Sequence, residues 1–186
     1  MPTWAWIIIA VAVAILVAGA IAAYMARKNQ TKRLRERFGP EYDRTVSEHD
    51  GQREAEKELA ERERKRERLD IVPLEPEAQK RYAKSWQDVQ MRFVDDPPQA
   101  IGDADRLVTD VMRDRGYPMD DFDQRAADIS VDHPQVVESY RSAHVIYEQH
   151  QNNGAETEDL RQAFVHYRAL FEELLESRET VGQEAR

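Results

Sequence analysis

The sequence predicts an all-α protein: one N-terminal transmembrane helix, a charged helical stalk, then a small antiparallel bundle of about four helices. Three observations predict it. Trp4–Met25 is an unbroken apolar run of 22 residues. The residues after it are dense in strong helix formers and charge. Beyond residue 70, apolar positions recur at the helical spacing, and no window alternates with the period of two that a half-buried strand requires. The implied divisions are an anchor over 1–26, a basic juxtamembrane segment and stalk over 27–70, the bundle over 71–178, and a disordered tail over 179–186.

A helix rises about 1.5 Å per residue, so the apolar run can cross a hydrocarbon core about 30 Å thick. Met1-Pro2-Thr3 carries no Lys or Arg, which argues against a cleavable signal peptide, although Ala20, Ala22 and Ala23 offer small residues for one. Trp4 and Trp6 would mark one interface and Tyr24 the other, with Arg27 and Lys28 just beyond. Arg27, Lys28, Lys32, Arg33, Arg35 and Arg37 face a single acid, Glu36. By the positive-inside tendency, the N-terminus lies outside and the remaining chain in the cytoplasm. The same basic segment would attract anionic lipid headgroups, at about 1 kcal/mol per cation near the surface. Ala10, Ala14, Ala18 and Ala22 repeat every fourth residue, the spacing at which two membrane helices can approach closely as a homodimer.

Gly39-Pro40 interrupts the helical pattern. Residues 52–69 resume it with pairs such as Glu58/Arg62 and Glu61/Lys65 in the favourable i,i+4 order. Their apolar positions are only Ala55, Leu59 and Leu69, which predicts a solvated spacer; a coiled-coil seam would need more apolar heptad positions.

Ile71-Val72-Pro73-Leu74 reads as an extended connector. The first bundle helix carries Ala78, Tyr82, Trp86, Val89 and Phe93 on one face. The second starts at Asp96, a cap followed by Pro97 and Pro98, buries Ile101, Ala104, Leu107, Val108, Val111 and Met112, and stops at Gly116 before Pro118. Asp123–Ile129 is a short helical turn. Asp132-His133-Pro134 starts the third helix, with Val136, Val137, Tyr140, Ala143, His144 and Tyr147 inward. Asn152-Asn153-Gly154 turns the chain, and Thr157 caps the fourth helix, whose stripe is Leu160, Ala163, Phe164, Tyr167, Leu170, Phe171, Leu174 and Leu175.

Charge bounds the function. Residues 27–70 hold 14 basic and 12 acidic side chains, whereas 71–186 hold 13 and 24, a net of −11. A bundle so acidic offers no clustered positive face for phosphates, which argues against nucleic acid as a partner. The absence of cysteine excludes disulfides, thiolate metal ligands and Cys nucleophiles. No Gly-rich phosphate loop is present, and Ser130 and Ser139 have no nucleophile context. Asp95-Asp96 and Asp120-Asp121 read as turn and cap residues rather than an acid–base pair.

Among five histidines, His133 and His144 lie eleven residues apart, close to three helical turns, and His166 could meet them across the bundle. That is the best metal-site candidate, yet it lacks the i,i+3 or i,i+4 ligand pairs of known helical metal sites. Arg115, Tyr117, Tyr140 and Arg141 combine the side-chain types enriched at interface hot spots and form the candidate partner-binding set.

Five segments are distinctive together: Arg37–Val46 (R-F-G-P-E-Y-D-R-T-V), Arg92–Pro97 (R-F-V-D-D-P), Arg115–Pro118 (R-G-Y-P), Asp132–His144 (D-H-P-x-V-V-E-x-Y-R-x-A-H) and Leu160–Phe171 (L-R-Q-A-F-V-H-Y-R-A-L-F). In this combination the chain resembles a group of single-span bacterial membrane proteins with a helical soluble domain and no assigned function. The resemblance implies a bacterial cell membrane protein and transfers no catalytic residue.

The reading that follows is a membrane-tethered helical binding or scaffolding module of unspecified partner, with no catalytic chemistry evident and no cofactor. Two alternatives stand beside it: a metal-dependent enzyme with a His-containing site in the bundle, and an exported domain facing the cell envelope.

Overall fold

The computed structural model describes residues 3–154 and 156–176, with side chains from residue 13 onward, those of Asn153 excepted. Among the described residues the chain is all-helical, with eight helices and no strand. Helix α1 (Thr3–Phe38) ends at Gly39, whose φ of 48° lies in the left-handed region, and Pro40 opens α2 (Pro40–Glu48). Then come α3 (Gln52–Arg66), α4 (Pro76–Asp95), α5 (Pro97–Asp114), α6 (Phe122–Asp132), α7 (Val137–Asn153) and α8 (Thr157–Glu176).

Among the described residues no helix is long and apolar enough to cross a membrane. The transmembrane reading of Trp4–Met25 has no support within them; the side chains of Trp4, Trp6 and Ala10, and the tail 179–186, lie outside the described residues. The described part of the run is nonetheless unpartnered. Every side chain from Val13 to Gln30 is exposed, including Ile15, Leu16, Ile21 and Met25.

The main core is built by α4, α5, α7 and α8, with Ala126 and Ile129 contributed by α6. Chain direction follows from the pairings. Tyr82 reaches Asp114 and Arg92 reaches Asp103, so α4 and α5 are antiparallel. Tyr140 lies on Tyr167 and His133 bonds Glu173, so α7 and α8 are antiparallel as well. Asp105 meets Tyr167 while Arg115 meets the Leu174 carbonyl, so α5 and α8, which pack directly on each other, run together. The direction thus alternates along the sequence, as short connections demand.

The acidic doublets cap helices. Asp96 accepts from the Gln99 amide at 3.2 Å and Asp121 from the Gln124 amide at 2.9 Å. Two starts differ from the sequence reading. Asp132-His133-Pro134 ends α6, with the His133 amide on the Ile129 carbonyl, and α7 begins only at Val137. Thr157 is the first residue of α8 rather than the residue before it.

The largest difference concerns the stalk. Helix α3 is not a solvated spacer: Ala55, Leu59 and Glu63 are buried. With Leu34 and Phe38 from α1, Tyr42 from α2 and Val131 from α6, Leu59 forms a second apolar cluster. Burying side chains of this size stabilises by about 1.5–3 kcal/mol each. Helix α6 joins the two cores, since Ile129 packs into the main one and Val131 into the second.

Candidate functional site

The densest polar arrangement lies where α2, α3, α6 and α7 meet. Glu41 is 2% exposed, in the first turn of α2 where Pro40 sets the helix start. Arg141 of α7 grips it with two bonds of 2.7 and 2.8 Å, and Arg62 of α3 adds a third at 2.7 Å. Two-pronged guanidinium–carboxylate pairing fixes orientation as well as charge. Arg62 also donates to Ser130 of α6 at 3.2 Å and pairs with Glu58. Burial alone would raise the Glu41 carboxyl, but the hydrogen bonds and charges of Arg141 and Arg62 outweigh it and hold the group below its ordinary value. Held this way, Glu41 is a poor proton acceptor; it acts as the pin of a clamp.

The clamp continues along α3. Lys65 bonds Asp128 at 2.8 Å, and Arg66 pairs with Asp132, which also accepts from the Tyr117 hydroxyl at 3.0 Å. Arg33 and Arg37 of α1 both reach the buried Glu63, at 2.7 and 3.2 Å. A helix with two apolar contacts is thereby fastened to α1 on one side and α6 on the other.

Of the four residues expected at a partner surface, three are buried and Arg141 is half-buried. Tyr140 is fully buried and Tyr117 nearly so. Arg115 is 6% exposed and donates to the carbonyls of Leu174 at 3.0 Å and Val72 at 3.3 Å, tying the end of α8 to the connector before α4. Arg141 is spent on Glu41. Aromatic and arginine side chains serve folded interiors as well as interfaces, and here buried acids and carbonyls absorb the donors. Three of the set are thus buried, and Arg141 is half-buried against Glu41.

The histidines are not brought together. His133 is buried at the end of α6, its Nδ1 3.1 Å from Glu173, and burial lowers its pKa. His144 stacks on Phe122 with ring centroids 3.6 Å apart. His166 is half-exposed on α8. Among the described residues no group of three or more His, Asp or Glu is placed to hold a metal ion.

The distinctive segments thus meet one another. The first two of their charged residues to do so are Glu41 and Arg141, 100 positions apart. Tyr167 of the last segment bonds Asp105 at 2.9 Å, and burial together with that carboxylate pushes its phenol far up. The segments carry joints of the fold.

Two open grooves flank this frame. One, of about 450 Å³, runs between α4 and α8 over Trp86 and Phe171, whose rings stack 4.6 Å apart. The other, of about 580 Å³, lies between α1 and α3 and is lined by Arg27, Thr31, Arg53, Lys57 and Arg64 among others. Sequence reasoning missed both, because each needs two helices whose pairing is set elsewhere. Compared with known proteins, the chain matches no family model, no curated protein and no solved structure.

Proposed function

We propose that the chain is a membrane-tethered helical module that holds its bundle at a fixed height and angle beside the bilayer, where it binds or scaffolds a protein partner. The supporting observation is the continuity of α1. Its apolar part is exposed from Val13 to Met25, and the same helix ends with Leu34 and Phe38 fully buried in the second core. From Met25 to Leu34 the helix rises about 13 Å. No flexible linker intervenes, so the bundle would follow the anchor rigidly. Exposed apolar surface of this extent, on all sides of one helix, is unusual unless something covers it; hydrocarbon would. The length of Trp4–Met25 suits a span, and the basic residues after it favour a bundle in the cytoplasm of a bacterium. Tethering would raise the effective concentration toward any other membrane-bound protein. Ala10, Ala14, Ala18 and Ala22 would be the seam of a homodimer within the bilayer.

The test uses the absence of cysteine. A single Gln151→Cys, on the exposed end of α7, is a unique handle. Intact cells or spheroplasts are treated with a membrane-impermeant maleimide, before and after lysis, and membranes are washed in alkaline carbonate. The expected result is labelling after lysis only, with the chain retained in the washed membrane. Release by carbonate would sink the tether. Labelling of intact cells would keep the tether and turn the bundle toward the envelope.

A further inference from the structure

We propose that the groove between α1 and α3 is a cradle for anionic phospholipid headgroups; the inference rests on the tethered reading. Its floor and walls are two matched stripes. Arg27, Gln30 and Thr31 stand at i, i+3 and i+4 on α1, and Arg53, Lys57, Ala60 and Arg64 at i, i+4, i+7 and i+11 on α3. Ala60 keeps the middle of the α3 stripe low, so the cations stand around a space of about 580 Å³. Among the described residues no carboxylate pairs with Arg27, Arg53 or Arg64, whereas most other cations of this region are engaged. The two acids of the lining do not cancel them. Glu56 accepts from Thr31 at 2.7 Å, Tyr42 at 2.9 Å and Gln52 at 2.7 Å and keeps its charge, and Lys57 also pairs with Glu61 at 3.8 Å, so the lining sets four cations against two carboxylates and stays positive.

Height decides the ligand. Thr31 lies six residues past Met25, a rise of about 9 Å. The polar headgroup layer is about 5–8 Å thick on each face, and charge at a membrane surface acts over about 8–10 Å. The Thr31 hydroxyl donates to Glu56 and accepts from Gln52, which holds the start of α3 at that level. The fold thus carries Arg53 and Lys57 to the outer edge of the headgroup layer, within reach of its charge, whereas the linear sequence would leave them far down a stalk. The acidic bundle, repelled by an anionic leaflet, is directed away from it.

The full chain in nanodiscs of phosphatidylcholine mixed with phosphatidylglycerol, released and weighed by native mass spectrometry, reports which lipid stays bound. Phosphatidylglycerol is expected to be enriched over its bulk share. Arg53→Gln, Lys57→Gln and Arg64→Gln should each lower that preference by about five-fold, the equivalent of about 1 kcal/mol per cation at a membrane surface. Ala60→Phe, which fills the groove and keeps every charge, should lower it too, while Lys80→Gln on α4 should not. Circular dichroism and melting temperature confirm that the variants fold. If wild type binds the two lipids in proportion to their bulk shares, or if the α3 variants change nothing, the cradle is wrong while the tether stands. Displacement by inorganic phosphate would also overturn it, making the groove a site for free anions. A chain that carbonate strips from the membrane fails the tether instead.

Discussion

Removing the Glu41 carboxylate tests whether the clamp, rather than apolar burial alone, seats α2 and α3 on the bundle. In Glu41→Ala, Arg62 and Arg141 lose their shared partner while their side chains remain only 11% and 14% exposed. Deleting one partner of a buried ion pair costs about 3–5 kcal/mol, because the other charge stays desolvated. Arg62 keeps Glu58, and Arg141 keeps Glu138 at 3.7 Å, which sets the loss at the lower end, about 3 kcal/mol. For a chain of this size each kcal/mol moves the melting temperature by about 2–4 °C, so a fall of about 6–12 °C is expected. Glu41→Gln keeps the shape and one acceptor and should lose about 2 kcal/mol. In a double-mutant cycle, Glu41→Ala and Arg141→Ala should couple by at least about 1.5 kcal/mol. The assay is thermal and urea unfolding of the full chain in detergent, followed by far-UV circular dichroism. The pH arm has a defined sign. A depressed carboxyl contributes stability above its unfolded value near 4.5 and loses it as pH falls through the lower folded value, so the gap between wild type and Glu41→Ala should close in acid. A variant that melts within about 1 °C of wild type, or additive single losses, would refute the clamp.

Further outcomes follow from other joints. Gly116→Ala places a Cβ 2.5 Å from the Asp70 carbonyl oxygen at φ +93°, and should destabilise by at least about 2 kcal/mol in the same melts. His133, lowered by burial, stays neutral in the fold; stability should fall as pH drops from about 6.5 toward its folded value, and His133→Gln should flatten that slope. Tyr167→Phe removes the bond to Asp105 and should cost about 1.5–3 kcal/mol by urea titration. Leu59→Ala should cost about 2–5 kcal/mol and raise amide exchange in α3 before α5.

Much of the bundle was legible because its information is local. Asp96 followed by two prolines, Gly116 before Pro118, and stripes such as Ile101-Ala104-Val108-Val111 each specify a start, a stop or a face within a few residues. The stalk was misread because its information is distant. Helix α3 offers Ala55 and Leu59, too little to predict burial, and its charged positions count as solvated until a partner is known. Those partners lie 63, 66 and 68 residues away, at Asp128, Asp132 and Ser130. The same distance effect hid the fate of Arg115, Tyr117, Tyr140 and Arg141. Their chemistry suits a hot spot, and only the position of Glu41, Asp132 and the Leu174 carbonyl shows that it is consumed internally. His133 and His144 failed as a pair for a local reason: the helix assumed to carry both breaks at Pro134, so the three-turn spacing never forms.

The two kinds of packing divide the work by position. In the main core, α4, α5, α7 and α8 bury aliphatic and aromatic stripes, which pack tightly but specify geometry loosely. Where α1, α2 and α3 meet the bundle the apolar cluster is small, and orientation there is set by paired charges with directional bonds, Glu41 with Arg141 and Arg62, Glu63 with Arg33 and Arg37. A joint that fixes the angle of α1 needs the second kind, because apolar contacts alone would let α1 rotate against the bundle. The arrangement has a cost that can be observed. Glu41, held below its ordinary value by Arg141 and Arg62, must be ionised for the joint to hold, so acid should loosen α2 and α3 from the bundle before it melts the main core, seen as early loss of amide protection in α2 and α3 with α5 and α8 still protected. Simultaneous loss of protection in all four helices would mean that the two cores fold as one unit and that the charged joint adds no separate step.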